Sequence, residues 1–186
     1  MKFCIDLDNT LIKLNDFFIR KVSSELGYNY TAYDNTDLKL TAFPDNFIKR
    51  SHELFVDGNF MGGIPIYKDT QEKLIHWKLN GHYLTIITAR EKTIEKETLK
   101  LIDREYPIVD DILIVGWNNN KEELLRNGNF DVIIDDNQHC IQSAINVGIP
   151  NIYMISNNET RYNIPYIDKF INNGVHIVSS ILEVNA

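Results

Sequence analysis

The chain has 186 residues, of which 44% are hydrophobic and 24% charged, and its formal net charge is −7. That length and balance suit a soluble globular domain with an insertion. The acidity argues against a partner such as duplex nucleic acid, but a small anionic substrate stays open, because a local metal and a few cations can reverse the sign inside a site.

The first apolar run, Phe3 to Leu7, has the length of a buried strand and carries Asp6 inside it. A start of this shape, Lys2-Phe3-Cys4-Ile5, is not that of a signal peptide, and no apolar stretch approaches the ~20 residues of a membrane span. Cys4 and Cys140 are expected as reduced thiols, which places the protein in the cytoplasm.

The segment from Asn15 to Gly63 then breaks with the strand pattern. Phe17, Phe18, Val22 and Leu26 share one helical face, closed by Gly27; Phe47, Ile48, Leu54 and Phe55 predict a second helix, with Pro44 near its start. Tyr28 to Thr41 between them reads as a polar loop, and Gly62-Gly63 with Pro65 marks a return. The expected organisation is a core of residues 1–14 and 64–186 with a small helical insertion at 15–63.

From there strands and helices alternate. Helical period runs over Thr70 to Asn80, Glu91 to Tyr106, Asn120 to Asn127 and Gln138 to Val147, with Gly81 and Gly148 as stops. Strand-length runs occupy Tyr83 to Thr88, Ile112 to Val115, Val132 to Ile134 and Asn151 to Ile155. The remainder predicts one more strand, Val175 to Val178, and a terminal helix without a chemical role. Such alternation implies right-handed crossovers and an α/β, Rossmann-like three-layer core around a parallel sheet.

The chemistry gathers where strands end. The first strand runs into Asp6-Leu7-Asp8-Asn9-Thr10, and the strand Val132 to Ile134 into Asp135-Asp136. In a parallel sheet, ligands bind outside the carboxyl ends of the strands. Acids crowded there are costly unless a cation or a proton separates them. Thr88 ends a neighbouring strand, and Lys121 opens a short helix, where a cation is unfavourable for the helix dipole. Together they offer a carboxylate nucleophile, an oxygen-rich site for Mg²⁺, a hydroxyl and a fixed positive charge, the parts that phosphoryl transfer needs.

These motifs, in this order from Phe3 to about Ile155, resemble a haloacid-dehalogenase-superfamily phosphatase. The resemblance implies that Asp6 attacks phosphorus to form an aspartyl-phosphate, and that Asp8 protonates the leaving oxygen and then deprotonates water. It implies that Thr88 and the amide of Ala89 bind phosphate oxygens, and that Lys121 holds nucleophile and phosphate together. Asp6, Asp135 and the Asp8 carbonyl would ligate Mg²⁺, with Asp136 helping through water and Thr10 steadying the turn. The insertion at 15–63 would be a cap over the site.

Gly63-Ile64-Pro65, the run Gly81 to Arg90, and Ile134-Asp135-Asp136-Asn137 are similar to the 5′(3′)-deoxyribonucleotidase group, which implies a nucleoside monophosphate substrate. Phe17, Phe18, Phe43 and Tyr28 could face a base, or form the core of the cap. Arg90 could contact phosphate or pair with Glu91 or Glu95.

Other readings stay open. A sugar-phosphate phosphatase would use the same motifs with another leaving group. A phospho-accepting signalling receiver also combines acids, Thr and Lys at a sheet edge, but carries its paired acids on the first strand and no helical insertion there. A non-catalytic binding relative would not need both Asp6 and Asp8. The five histidines show no metal-ligand spacing.

Overall fold

Alternate residues of each central strand point to opposite faces, and here both faces are apolar. In β1 (Lys2–Ile5), Phe3 and Ile5 enter one cluster and Cys4 the other. The same holds for β2 (Tyr83–Thr88), β3 (Asp111–Ile114), β4 (Val132–Asp135), β5 (Asn151–Ile155) and β6 (His176–Val178), which form one six-stranded sheet in the order β3-β2-β1-β4-β5-β6. Each neighbouring pair is parallel. The computed structural model describes residues 1–37, 40–57, 60, 63–116 and 121–185. Gly62, read from the sequence as part of the return to the core, and Asn120, read as the start of a helix, lie outside them.

Two helices, α1 (Leu14–Leu26) and α2 (Asp45–Asp57), make up most of the insertion after β1, with a 3-10 turn at Ala32–Asp34 between them. Phe18 meets Phe55 edge-on at 6.2 Å, and Phe43 stacks on Phe47 at 4.6 Å. Gly27 ends α1 in the left-handed region, φ 74°, as its place after Leu26 predicts.

The remaining helices are α3 (Thr70–Leu79), α4 (Glu95–Glu105), α5 (Lys121–Gly128), α6 (Gln138–Val147) and α7 (Ile167–Ile171). Leu74 and Trp77 of α3 and Leu101 and Ile102 of α4 pack on the face of Phe3 and Ile5. Leu125 of α5, Ile141 and Ala144 of α6 and Phe170 of α7 pack on the face of Cys4. Helices therefore cover both faces, and the layering changes sides between β1 and β4. That is the topological switch point, where open parallel sheets bind ligands.

Two expectations need correction. The predicted helix from Glu91 begins as α-helix only at Glu95, because Glu91 is extended (φ −71°, ψ 149°) and Lys92–Ile94 form a 3-10 turn. Among the described residues the terminal helix is absent: α7 precedes β6, and a 3-10 turn, Ile181–Glu183, follows it. Ile181 and Val184 in that tail are buried against the α3 side, so packing of two apolar residues replaces a helical face.

Gly128 closes α5 where Lys2 Nζ donates to its carbonyl at 2.9 Å. A Cβ there would stand 2.0 Å from Cε2 of Phe130, a buried ring with the Lys2 ammonium 4.9 Å from its centroid. Gly128→Ala must displace that ring from a packed wall and is expected to cost about 1–3 kcal/mol, read as a lower Tm in thermal melts. An unchanged Tm would show that Phe130 has room to move.

Candidate active site

The β1 ladder is prolonged by one bond beyond the strand, Asp6 N–H to the Ile134 carbonyl at 2.9 Å. Asp6 is thus fixed beside Asp135, the last residue of β4. The chain then turns sharply: the Leu7 carbonyl accepts from Leu11 and Ile12 at 3.0 and 3.1 Å, with Asn9 in the left-handed region at φ 58°. Asparagine tolerates that conformation better than most side chains.

Lys121, first residue of α5, reaches over this edge. Its ammonium lies 2.7 Å from Asp6 Oδ1 and 2.9 Å from Asp135 Oδ2, and all three side chains are at least nine-tenths buried. Burial would lower the Lys121 ammonium, but the charges of Asp135 and Asp6 outweigh it and hold it well above the ordinary lysine range. Burial pushes the Asp6 carboxyl well up, with Lys121 as the main opposing force. Asp136 is pushed up to about 7 by burial and then by the charge of Asp135, with hydrogen bonds from Tyr162 and Asn9 pulling the other way.

Arg90 departs from the ion pairing read from the sequence. Its guanidinium is fully buried and holds Asp8 with two hydrogen bonds, Nη2 to Oδ1 at 2.7 Å and Nε to Oδ2 at 3.0 Å, while Nη1 meets Thr98 Oγ1 at 3.3 Å. The partner is neither Glu91 nor Glu95. A buried guanidinium needs a charge within reach, and parallel pairing of β2 with β1 brings Asp8 there.

Asp6, Asp8, Ala89, Lys121 and Asp136 all line one cavity of about 1040 Å³. Asp135, Thr88 and Thr10 are buried and do not line it: the Thr88 hydroxyl accepts from the Arg90 amide at 3.4 Å, and the Thr10 hydroxyl has no partner. Of the aromatics named above, Phe18 reaches the cavity. Tyr28 stacks instead on Tyr30 at 5.1 Å, and Phe43 packs on Phe47.

The segment after Ile155 does take part. Tyr162, in the 3-10 helix Arg161–Tyr166, donates to Asp136 and lines the cavity. Asn163 donates to the Asp136 carbonyl at 2.7 Å and to the Ile155 carbonyl at 3.0 Å. Asn9 donates to Asp136 at 3.2 Å, and its Oδ1 accepts from the Asn15 amide at 2.9 Å, tying the start of α1 to the site.

Ligand oxygens of Asp6, Asp135 and Asp136 lie within 4.8 Å of one another. With every acid ionised, four carboxylates would face two cations here, a surplus of two negative charges in a buried place. An all-oxygen donor set with that surplus fits a hard divalent cation such as Mg²⁺. The surplus also has a consequence for the metal-free protein. Asp136 is raised in the folded state above its ordinary value of about 3.9, so the native protein binds more protons than the unfolded chain across pH 4 to 7. Its contribution to stability is present at low pH and is lost as pH rises through about 7. In chelator, the Tm of Asp136→Asn should therefore gain on that of the wild type by roughly 5 °C between pH 5 and pH 8. A difference independent of pH would contradict the raised carboxyl.

No protein-family model matches the chain, and no curated protein matches it. Solved structures do. A phosphonoacetaldehyde hydrolase-like protein from Oleispira antarctica is 12% identical with a TM-score of 0.64, covering 98% of this chain and 88% of its own. CbbY from Rhodobacter sphaeroides, solved with phosphate, is 16% identical with a TM-score of 0.58 over 98% and 95% of the two chains. A haloacid dehalogenase-like hydrolase from Bacteroides fragilis is 16% identical with a TM-score of 0.58 over 88% and 92%. The α/β fold of this chain is that of these three proteins. Among the described residues, no helix is long and apolar enough to cross a membrane.

Proposed function

We propose that the chain is a Mg²⁺-dependent phosphomonoester hydrolase of the haloacid-dehalogenase superfamily, with Asp6 as nucleophile and residues 15–63 as its cap. The observation that carries this reading is the Asp6–Lys121–Asp135 contact at the switch point, with Asp8 held nearby by Arg90.

Asp6 attacks the phosphorus and the bond from phosphorus to the ester oxygen breaks; Asp8, released from Arg90 as the phosphate takes the guanidinium and protonated from solvent, delivers that proton to the leaving oxygen. Water then attacks the aspartyl-phosphate, Asp8 takes its proton, and phosphate departs with Asp6 restored. Lys121 keeps a fixed positive charge against Asp6 and the arriving anion. The Ala89 amide, on the cavity wall, holds a phosphate oxygen, and the Thr88 hydroxyl, buried behind it, joins only once its neighbours shift. Arg90 fixes the direction of the Asp8 carboxylate, and an arriving phosphate competes for the same guanidinium. Asp6, Asp135 and the Asp8 carbonyl would hold Mg²⁺, with Asp136 helping through water, and the bound ion would supply positive charge to offset repulsion between the carboxylates and phosphate.

The leaving group is read as a nucleoside, deoxyribose favoured. The cavity of about 1040 Å³ is at the upper end for small-ligand sites and leaves room for more than a short acid or triose. Phosphate release is to be measured on nucleoside, deoxynucleoside and sugar monophosphates, with and without Mg²⁺. Metal-dependent release concentrated in deoxynucleotides is expected. Release from sugar phosphates alone would keep the mechanism and overturn the substrate, and metal-independent release would overturn the role of the carboxylate cluster.

A further inference from the structure

The insertion's share of the cavity wall includes two polar side chains, each with one oxygen that has no hydrogen-bond partner. Asn35, just after the Ala32–Asp34 turn, is 2% exposed and its side-chain oxygen accepts no hydrogen bond. Ser51, on α2, is 1% exposed and its hydroxyl is equally unpaired. Both line the same cavity as Asp6 and Asp8. Buried polar groups are paired in the great majority of cases, because leaving one unpaired costs most of its desolvation. Two such groups in one wall of one cavity are an expense that folding does not explain. Neither touches the carboxylates, Lys121 or Arg90 through any hydrogen bond described above, so the hydrolytic step does not account for them.

Their surroundings narrow the guest. Leu14, Phe18, Leu40 and Phe55 line the same cavity, so apolar walls accompany the two polar groups. An amide offers both donor and acceptor, and a hydroxyl rotates about one torsion to serve as either. A planar heterocycle matches this combination, with apolar faces for Phe18 and Phe55 and a rim that carries donors and acceptors. A sugar matches it poorly, since its hydroxyls project around the ring and several would be stranded against phenylalanine and leucine.

We infer that Asn35 and Ser51 are the specificity-determining pair of the site and read the hydrogen-bonding edge of a nucleobase on the leaving group. This rests on the phosphomonoesterase reading and names its substrate class. Where a site is built to hydrogen-bond a substrate, discrimination comes from the partner groups left unpaired when the substrate cannot answer them.

The test compares wild type, Ser51→Ala and Asn35→Leu on deoxynucleoside monophosphates, a hexose phosphate and phenyl phosphate, which has an aromatic leaving group without a polar edge. For each single substitution, the ratio of kcat/KM for the best deoxynucleotide to that for phenyl phosphate is expected to fall about tenfold. Tm should hold or rise, because an unpaired buried polar atom has been removed. An unchanged ratio would overturn the inference while leaving the hydrolase reading intact, and so would a loss confined to the hexose phosphate. A second arm needs no turnover: deoxynucleosides without phosphate should raise the wild-type Tm, and Ser51→Ala should lose that shift. If no ester is hydrolysed yet the shift is present and lost in the variant, the base subsite stands and the reaction assignment falls. If no ester is hydrolysed and no shift is seen, both fall.

Discussion

Asp6→Asn is expected to reduce phosphate release by roughly 10⁴-fold or more and to leave the protein folded. The two halves of that result have separate causes. Turnover is lost because an amide cannot attack phosphorus and carry it as an acyl phosphate would. The fold survives because Asn has the same shape, and because the site is overloaded with negative charge. Asp135, Asp136 and Asp8 all push the Asp6 carboxyl up, behind burial as the largest cause. Removing one charge relieves that crowding, and Lys121 keeps Asp135 at 2.9 Å. In chelator the variant's Tm should equal or exceed that of the wild type, while the stabilisation by added Mg²⁺ should shrink, since one ligand has gone. Turnover near the wild-type rate would place the nucleophile elsewhere. A collapsed Tm with lost turnover would mean that Asp6 serves the fold, and the reading of the site would fall with it.

The sheet was legible because strands buried on both faces read as short continuous apolar runs, and because acids at their ends have no folding reason to be there. Parallel order then brings Asp6 and Asp135 together without further information, since β1 pairs with β4. What stayed hidden is long-range side-chain geometry. Tyr162 lies in a 3-10 stretch with no period to read, and meets Asp136 across 26 residues of chain. Arg90 invites pairing with Glu91 and Glu95 because they are close in sequence, yet its partner is 82 residues away. The usable signal was its position: an arginine two residues after a buried strand-terminal Thr is poorly placed to find water and is served by a carboxylate on the neighbouring strand's loop. Asn35 and Ser51 carried no signal at all, because an unpaired polar atom is a property of the fold and of no pattern in the chain.

The Arg90–Asp8 pair allows catalysis and stability to be separated. Asp8→Asn should lower turnover by about 10²–10⁴-fold, since one residue delivers the proton in the first half-reaction and removes it in the second. It also strips the counter-charge from a guanidinium with no exposed surface. Breaking a buried pair from one side costs about 3–5 kcal/mol. The cost here should be nearer 2–3, because the Asp8 side chain is 19% exposed and an asparagine oxygen can still accept from Arg90. A loss of activity in Asp8→Asn alone could therefore be charged to a loosened site. Adding Arg90→Met removes the stranded cation and fills its apolar channel with a side chain of similar length, so the double variant should regain most of the lost Tm. It should regain none of the turnover, because the missing proton carrier is still missing. Recovery of both together would show that Asp8 acts only by neutralising Arg90. Recovery of stability alone leaves proton transfer as the function of Asp8, with Arg90 acting through it on the geometry of the step.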